Sequence, residues 1–202
     1  MPSHVTIALW KARAAWMLSG LLSPFVLVPL FSALFVLELT ADRWEFLHIY
    51  LLCVACSVGV PAAYIGVNVY AGRITDIHVR LLEQRRGPFR AGLVGLLVQA
   101  TALWYVQAHP TLVAYGFCVF FSGLAFAYIS ENWKISVHTG TLGSLLAGAM
   151  VILDWSALWL LLELPLIWAR AHRRRHHPRQ GIGGALLGFV PTWICLVFSS
   201  GL

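Results

Sequence analysis

Charge is what this sequence has least of. Only 11% of its 202 residues are Asp, Glu, Lys or Arg, while 59% are apolar and the mean hydropathy is +0.78. That composition excludes an ordinary soluble domain and makes a multi-span membrane protein the starting class. Polar linkers, low-complexity runs and internal repeats are also missing, so residues 1–202 read as a single integral membrane domain. The first uncharged stretch, Ala14 to Leu37, exceeds the apolar part of a signal peptide, which spans about 7–15 residues, and is expected to remain as a span. Cysteine is scarce. Cys53, Cys56, Cys118 and Cys195 all lie in apolar stretches. Cys53 and Cys56 share a helical face, but no His or further Cys stands nearby to complete a metal or redox site. These two are therefore expected to pack as small apolar residues, and no metal or cofactor is expected.

Between the charged breaks, helical segments are expected at roughly 14–38, 46–70, 91–108, 110–130, 139–153, 156–170 and 180–200. The fold class is all-α, a polytopic transmembrane bundle of six or seven helices. Pro88 and Pro110 sit where a helix can start. The segments at 139–153 and 156–170 are short for a hydrocarbon core of about 30 Å, so the loops beside them are expected to converge below the membrane surface. Gly184 and Gly188 form a GxxxG pair suited to close helix packing.

The formal charge is +6. The basic residues fall in short loops between spans rather than in a tail or domain, which favours anionic lipid headgroups over nucleic acid as partners. If each segment crosses once, thirteen of the fourteen Lys and Arg lie on one side, leaving Arg43 on the other. The positive-inside rule makes that side cytoplasmic. The densest run, "WARAHRRRHHPRQGIGGALLG" (168–188), holds five arginines and three histidines. An interfacial anchor would account for Arg173, Arg174 and Arg175 but not for the histidines or for the other basic loops. Glu163 is an intramembrane acid that we leave outside the candidate site.

Three loops supply chemistry together. Arg170 precedes His176 by six residues and Gln180 follows it by four. Lys134, Ser136 and His138 stand just before "TGTLGSLLAGAM", at the expected start of a helix, where free N–H groups and the helix dipole favour an oxyanion. Residues 72–90 add Arg80, Arg85 and Arg86. Guanidinium groups suit bidentate phosphate contacts, and two histidines can divide nucleophile and acid roles.

These residues resemble the type-2 phosphatidic acid phosphatase superfamily, the membrane lipid-phosphate phosphatases related to vanadium haloperoxidases. The family pattern is KxxxxxxRP, then PSGH, then SRxxxxxHxxxD. Here "ARAHRRRHHPRQ" (169–180) keeps R-x5-H as Arg170 to His176 and ends in Gln180 where Asp is usual. "ISVH" (135–138) keeps Ser136 and His138, and His78-x6-Arg85 keeps the spacing of the first motif with histidine in place of lysine. The likeness covers about residues 76–190, after two spans at about 14–70. It implies a metal-independent hydrolase in which His176 attacks phosphorus and becomes a phosphohistidine. His138 would protonate the leaving lipid oxygen, and Arg170, Arg85, Arg86, Ser136 and Lys134 would hold the phosphate, with Gln180 orienting His176. Gln at this place resembles the dolichyl-diphosphatase-like branch and points the substrate toward isoprenoid phosphates or diphosphates. The alternative reading is a non-catalytic membrane protein that binds an anionic lipid headgroup in the same cationic pocket. A transporter is disfavoured by the absence of a clearly broken helix or inverted repeat.

Overall fold

The computed structural model describes residues 4–76, 79, 81 and 83–200. Among these there is no strand, and eight α-helices follow one another: α1 (His4–Leu21), α2 (Pro24–Leu39), α3 (Arg43–Tyr70), α4 (Arg86–Tyr105), α5 (Pro110–Ser130), α6 (Val137–Ile152), α7 (Glu163–His172) and α8 (Pro178–Ser200). The all-α reading holds at this coarser level. Six or seven crossings do not follow: among the described residues three helices, α3, α5 and α8, are long and apolar enough to span a membrane. A fourth span is gained if α1 and α2 count as one broken span.

Prolines set the boundaries that differ from expectation. The stretch expected as one segment over 14–38 bends by 45° between α1 and α2. Ser23 is extended at φ −80°, ψ 150°, the conformation that a following proline imposes on its neighbour. In α3 a π-helical turn at Ala55–Gly59 precedes Pro61; the wider turn accommodates a residue that has no N–H to donate and whose ring crowds the carbonyl four residues back. The segment expected at 156–170 divides into a 3-10 turn at Ala157–Leu162 and α7. Pro165 lies in the first turn of α7, where its missing N–H is tolerated.

Helix α6 forms the centre. Nearly all of it from Thr139 to Ile152 is buried, and it packs chiefly against α8 and α2. Glycines bring α6 and α8 to backbone contact. A Cβ on Gly188 would run into the Gly140 carbonyl, and one on Gly143 would lie 2.6 Å from the Ala185 carbonyl oxygen. Gly148 leaves room for the rings of Phe35 and Tyr115, which meet edge to face at 5.2 Å. A buried hydroxyl cluster ties three helices: Thr192 on α8 lies 3.1 Å from Ser144 on α6 and 3.4 Å from Ser122 on α5. Cys118 on α5 and Cys195 on α8 form a disulfide, a pairing that no expectation from the sequence covered. Cys53 and Cys56 are free and buried.

Gly188→Ala is expected to destabilise the detergent-solubilised protein by about 1–3 kcal/mol through overpacking. Gly92→Ala, where a Cβ meets nothing within 4 Å, is expected to be neutral or to stabilise by up to about 1 kcal/mol from helix propensity. Thermal unfolding of the two variants side by side checks the contrast.

Candidate functional site

One end of the bundle gathers the start of α4, the α5–α6 connection and the α7–α8 connection. The last turn of α7 folds back on itself: the Arg170 carbonyl accepts from the N–H of Arg175 (3.0 Å) and of His176 (3.4 Å). Arg174 takes a left-handed conformation, φ 53°. This turn is how the R-x5-H spacing sets Arg170 and His176 in one site. Helix α8 then opens with a reciprocal cap. The His177 N–H donates to Gln180 Oε1 (2.9 Å) and the Arg179 N–H to His177 Nδ1 (3.3 Å), so two otherwise orphaned donors are satisfied.

Backbone bonds fix the second loop against the third. The Ser136 N–H donates to the Gln180 carbonyl at 3.2 Å, and Thr139 Oγ1 donates to the Gly181 carbonyl at 2.8 Å. Ser136 takes the N-cap position of α6, as expected, but its hydroxyl does not cap the helix. Arg85 joins from the third side, donating from Nη1 to the Ile135 carbonyl (3.3 Å) and from Nε to the Val79 carbonyl (3.4 Å).

His176 is 8% exposed, and its Nδ1 lies 3.0 Å from the Lys134 carbonyl oxygen. A carbonyl only accepts, so Nδ1 carries the proton and Nε2 keeps the lone pair. Burial, followed by the nearby Arg170 guanidinium, pushes the imidazole down to about 4, against the pull of the Lys134 hydrogen bond. The ring is therefore neutral at pH 7. Burial also lowers Lys134, helped by the cations of Arg85, Arg175 and Arg170, and burial lowers Arg85. The arrangement is a cluster of mutually repelling positive charges around one neutral histidine.

Arg170 donates from Nη1 to Ser19 Oγ (2.9 Å) and to His138 Nε2 (3.3 Å). Its Nε is buried and, among the described residues, has no hydrogen-bond partner. The same is true of Ser136 Oγ, whose residue is fully buried. Two buried polar groups without partners at one cationic end are costly unless something accepts from them.

The structure thus brings together His176, His138, Arg170, Arg85, Ser136 and Lys134. Two of the expected site residues make other contacts. Arg86 is exposed and lies 4.0 Å from Glu131, since the first turn of α4 faces away from the cluster there. Gln180 does not orient His176: its side-chain oxygen is committed to the His177 N–H, and the Lys134 carbonyl holds the imidazole instead. His78 and Arg80 lie outside the described residues. Glu163 is buried with both carboxylate oxygens unpartnered among the described residues. It stands seven residues before Arg170, about 10 Å along the axis of α7, and stays outside the cluster. Sequence reading missed the Lys134 carbonyl, which carries no side-chain signal, and Ser19, one serine in an apolar helix. Among the described residues no group of three or more His, Cys, Asp or Glu gathers as a metal site.

No family model matches the chain, and no curated protein or solved structure matches it either.

The unfolded chain protonates His176 near its ordinary 6.5, the folded chain only near 4. Between these values the unfolded state binds more protons, so stability rises with pH from about 4 to 6.5 and this contribution is complete above that range. Unfolding midpoints measured across pH 4–7.5 should show this slope in the wild type. The slope should be reduced in His176→Gln. Equal slopes would refute a neutral, buried His176.

Proposed function

We propose that this chain is a membrane phosphatase that hydrolyses a lipid phosphate or a polyprenyl (di)phosphate through a phosphohistidine, as its likeness to the type-2 phosphatidic acid phosphatase motifs implies. The observation that carries the reading is the neutral His176, its tautomer set by the Lys134 carbonyl, beside two buried donor groups without partners, Arg170 Nε and Ser136 Oγ. A nucleophile with a lone pair on Nε2 and preorganised donors for phosphoryl oxygens are what phosphoryl transfer asks of a protein.

In this reading His176 Nε2 forms a bond to phosphorus while the bond to the lipid oxygen breaks. The leaving oxygen takes a proton from His138. His138 acts here as the imidazolium, and giving up its proton leaves the neutral ring, whose Nε2 then accepts from Arg170 Nη1. Water, giving its proton to His138, then attacks phosphorus. The phosphorus–nitrogen bond breaks, and phosphate and the free imidazole are regenerated. Arg170, Arg85 and Lys134 neutralise the charge that spreads over the phosphoryl oxygens.

The site belongs on the cytoplasmic face in this reading. In the sequence every Lys and Arg except Arg43 lies in α1 or in segments adjoining this end. The disulfide supports the same sidedness. Cys195 lies seventeen residues into α8, about 26 Å from its start at the site, in the half of the bundle nearer the opposite compartment. Disulfides persist where that compartment is oxidising.

The test is phosphate release by detergent-purified protein from phosphatidic acid, phosphatidylglycerophosphate, and farnesyl and undecaprenyl mono- and diphosphates, with EDTA present. Release should vanish in His176→Ala and fall about 10²- to 10⁴-fold in His138→Ala, the usual contribution of a general acid. Gln180→Asp should not raise it, because residue 180 serves the helix cap. No release from any substrate by folded wild type would favour the anionic-lipid-binding reading. For sidedness, Arg174→Cys in sealed vesicles should react with an impermeant maleimide from the cytoplasmic side, and Trp44→Cys from the other. The reverse pattern would invert the orientation.

A further inference from the structure

The guanidinium of Arg170 carries five N–H donors in a planar fork, and which edge faces a phosphate is set by what holds the rest. Nη1 is engaged twice, by Ser19 Oγ at 2.9 Å and by His138 Nε2 at 3.3 Å. Nε is buried and unpartnered among the described residues. Bidentate contact with an anion is therefore left to the edge formed by Nε and Nη2. Charge does not hold the group in place: Arg173, Arg175 and Arg85 are all near enough to repel it. The neutral hydroxyl of Ser19 is its shortest hydrogen-bond tether among the described residues.

Ser19 itself is 2% exposed and stands one turn after Ala15, which is fully buried. These two small residues share the face of α1 on that side, and α1 packs against α7. The helix lies outside residues 76–190, which carry the phosphatase-like motifs, and begins the chain. Nothing in those motifs anticipates a contribution from it.

We infer that Ser19 is a positioning residue: by accepting from Arg170 Nη1 it turns the Nε edge of the guanidinium toward the phosphoryl group, so that α1 completes the site. The inference rests on the phosphate-site reading above. It deepens that reading by making the first helix part of the anion site rather than a membrane anchor alone.

Orthovanadate is the probe, since it presents phosphate-like oxygens and needs no identified lipid. Its affinity for the full chain is measured by isothermal titration for wild type, Ser19→Ala, Ser19→Thr, Ser19→Cys and Arg170→Ala, with unfolding midpoints recorded for each. Ser19→Ala should weaken vanadate about 10-fold, the scale of one hydrogen bond to a charged group. Ser19→Cys, close in size but a poor acceptor, should behave the same, Ser19→Thr should recover most of the affinity, and Arg170→Ala should lose the most. Where a releasable substrate is found, Ser19→Ala should lower kcat more than it raises KM. Wild-type affinity in Ser19→Ala and Ser19→Cys, beside lost affinity in Arg170→Ala, would overturn the positioning role and leave the phosphate-site reading standing. Unchanged affinity in Arg170→Ala would remove the reading and the inference together. Should Ser19→Ala unfold, the folded Ser19→Cys decides the matter alone.

Discussion

The contact between the backbones of α6 and α8 is the constraint on which the rest depends. Lipid tails are as apolar as the side chains they touch, so helices in a bilayer associate through close packing and hydrogen bonds rather than through hydrophobic drive. Gly140 and Gly143 on α6 face Gly188, Ala185 and Gly184 on α8 with no side chain interposed. That approach allows the Ser136 N–H to reach the Gln180 carbonyl and the Thr139 hydroxyl to reach the Gly181 carbonyl. His138 stands in the first turn of α6 and His176 two residues before α8, so both depend on these helix ends. A spacing wider by one methyl group would part Lys134 from the imidazole it orients.

The cluster at that end is electrostatically unfavourable by itself. Burial first, and then the charges of Arg170, Arg85 and Lys134, keep the His176 imidazole neutral. A positive potential of this kind favours an anion over a cation at that end of the bundle, and it lies beside two buried polar groups without partners among the described residues, Arg170 Nε and Ser136 Oγ. Gln180 fits into this arrangement through the backbone: its carbonyl accepts from the Ser136 N–H, while the partner of the His176 imidazole is the Lys134 carbonyl, which remains neutral at every pH.

Much of this could be read from the residues. Apolar runs between charged breaks located most helices, and Pro110 marked the start of α5 to the residue. The R-x5-H and S-x-H spacings identified Arg170, His176 and His138, of which Arg170 lies against His138 and close to His176, and Ser136, which joins them through its backbone. What could not be read has definite physical causes. Pro24, Pro61 and Pro165 each reshape a helix locally, as a bend, a π turn or a 3-10 turn, and apolar periodicity is blind to the choice. Arg86 and Arg85 are adjacent in sequence, yet on a helical turn they point apart, one to Glu131 and one to Ile135. The Lys134 carbonyl belongs to no motif because any residue type supplies it. Cys118 and Cys195 stand 77 positions apart, and only the packing of α5 on α8 makes them neighbours.

The hydroxyls of Ser122, Thr192 and Ser144 have a mechanical consequence. Sliding α8 past α5 and α6 by one turn would carry Thr192 away from both partners, at about 1–2 kcal/mol for each hydrogen bond lost, and would part Cys195 from Cys118. Thr192 and Cys195 stand about one turn apart on α8, so a covalent bond and two hydrogen bonds act together as a pin against axial travel of this helix.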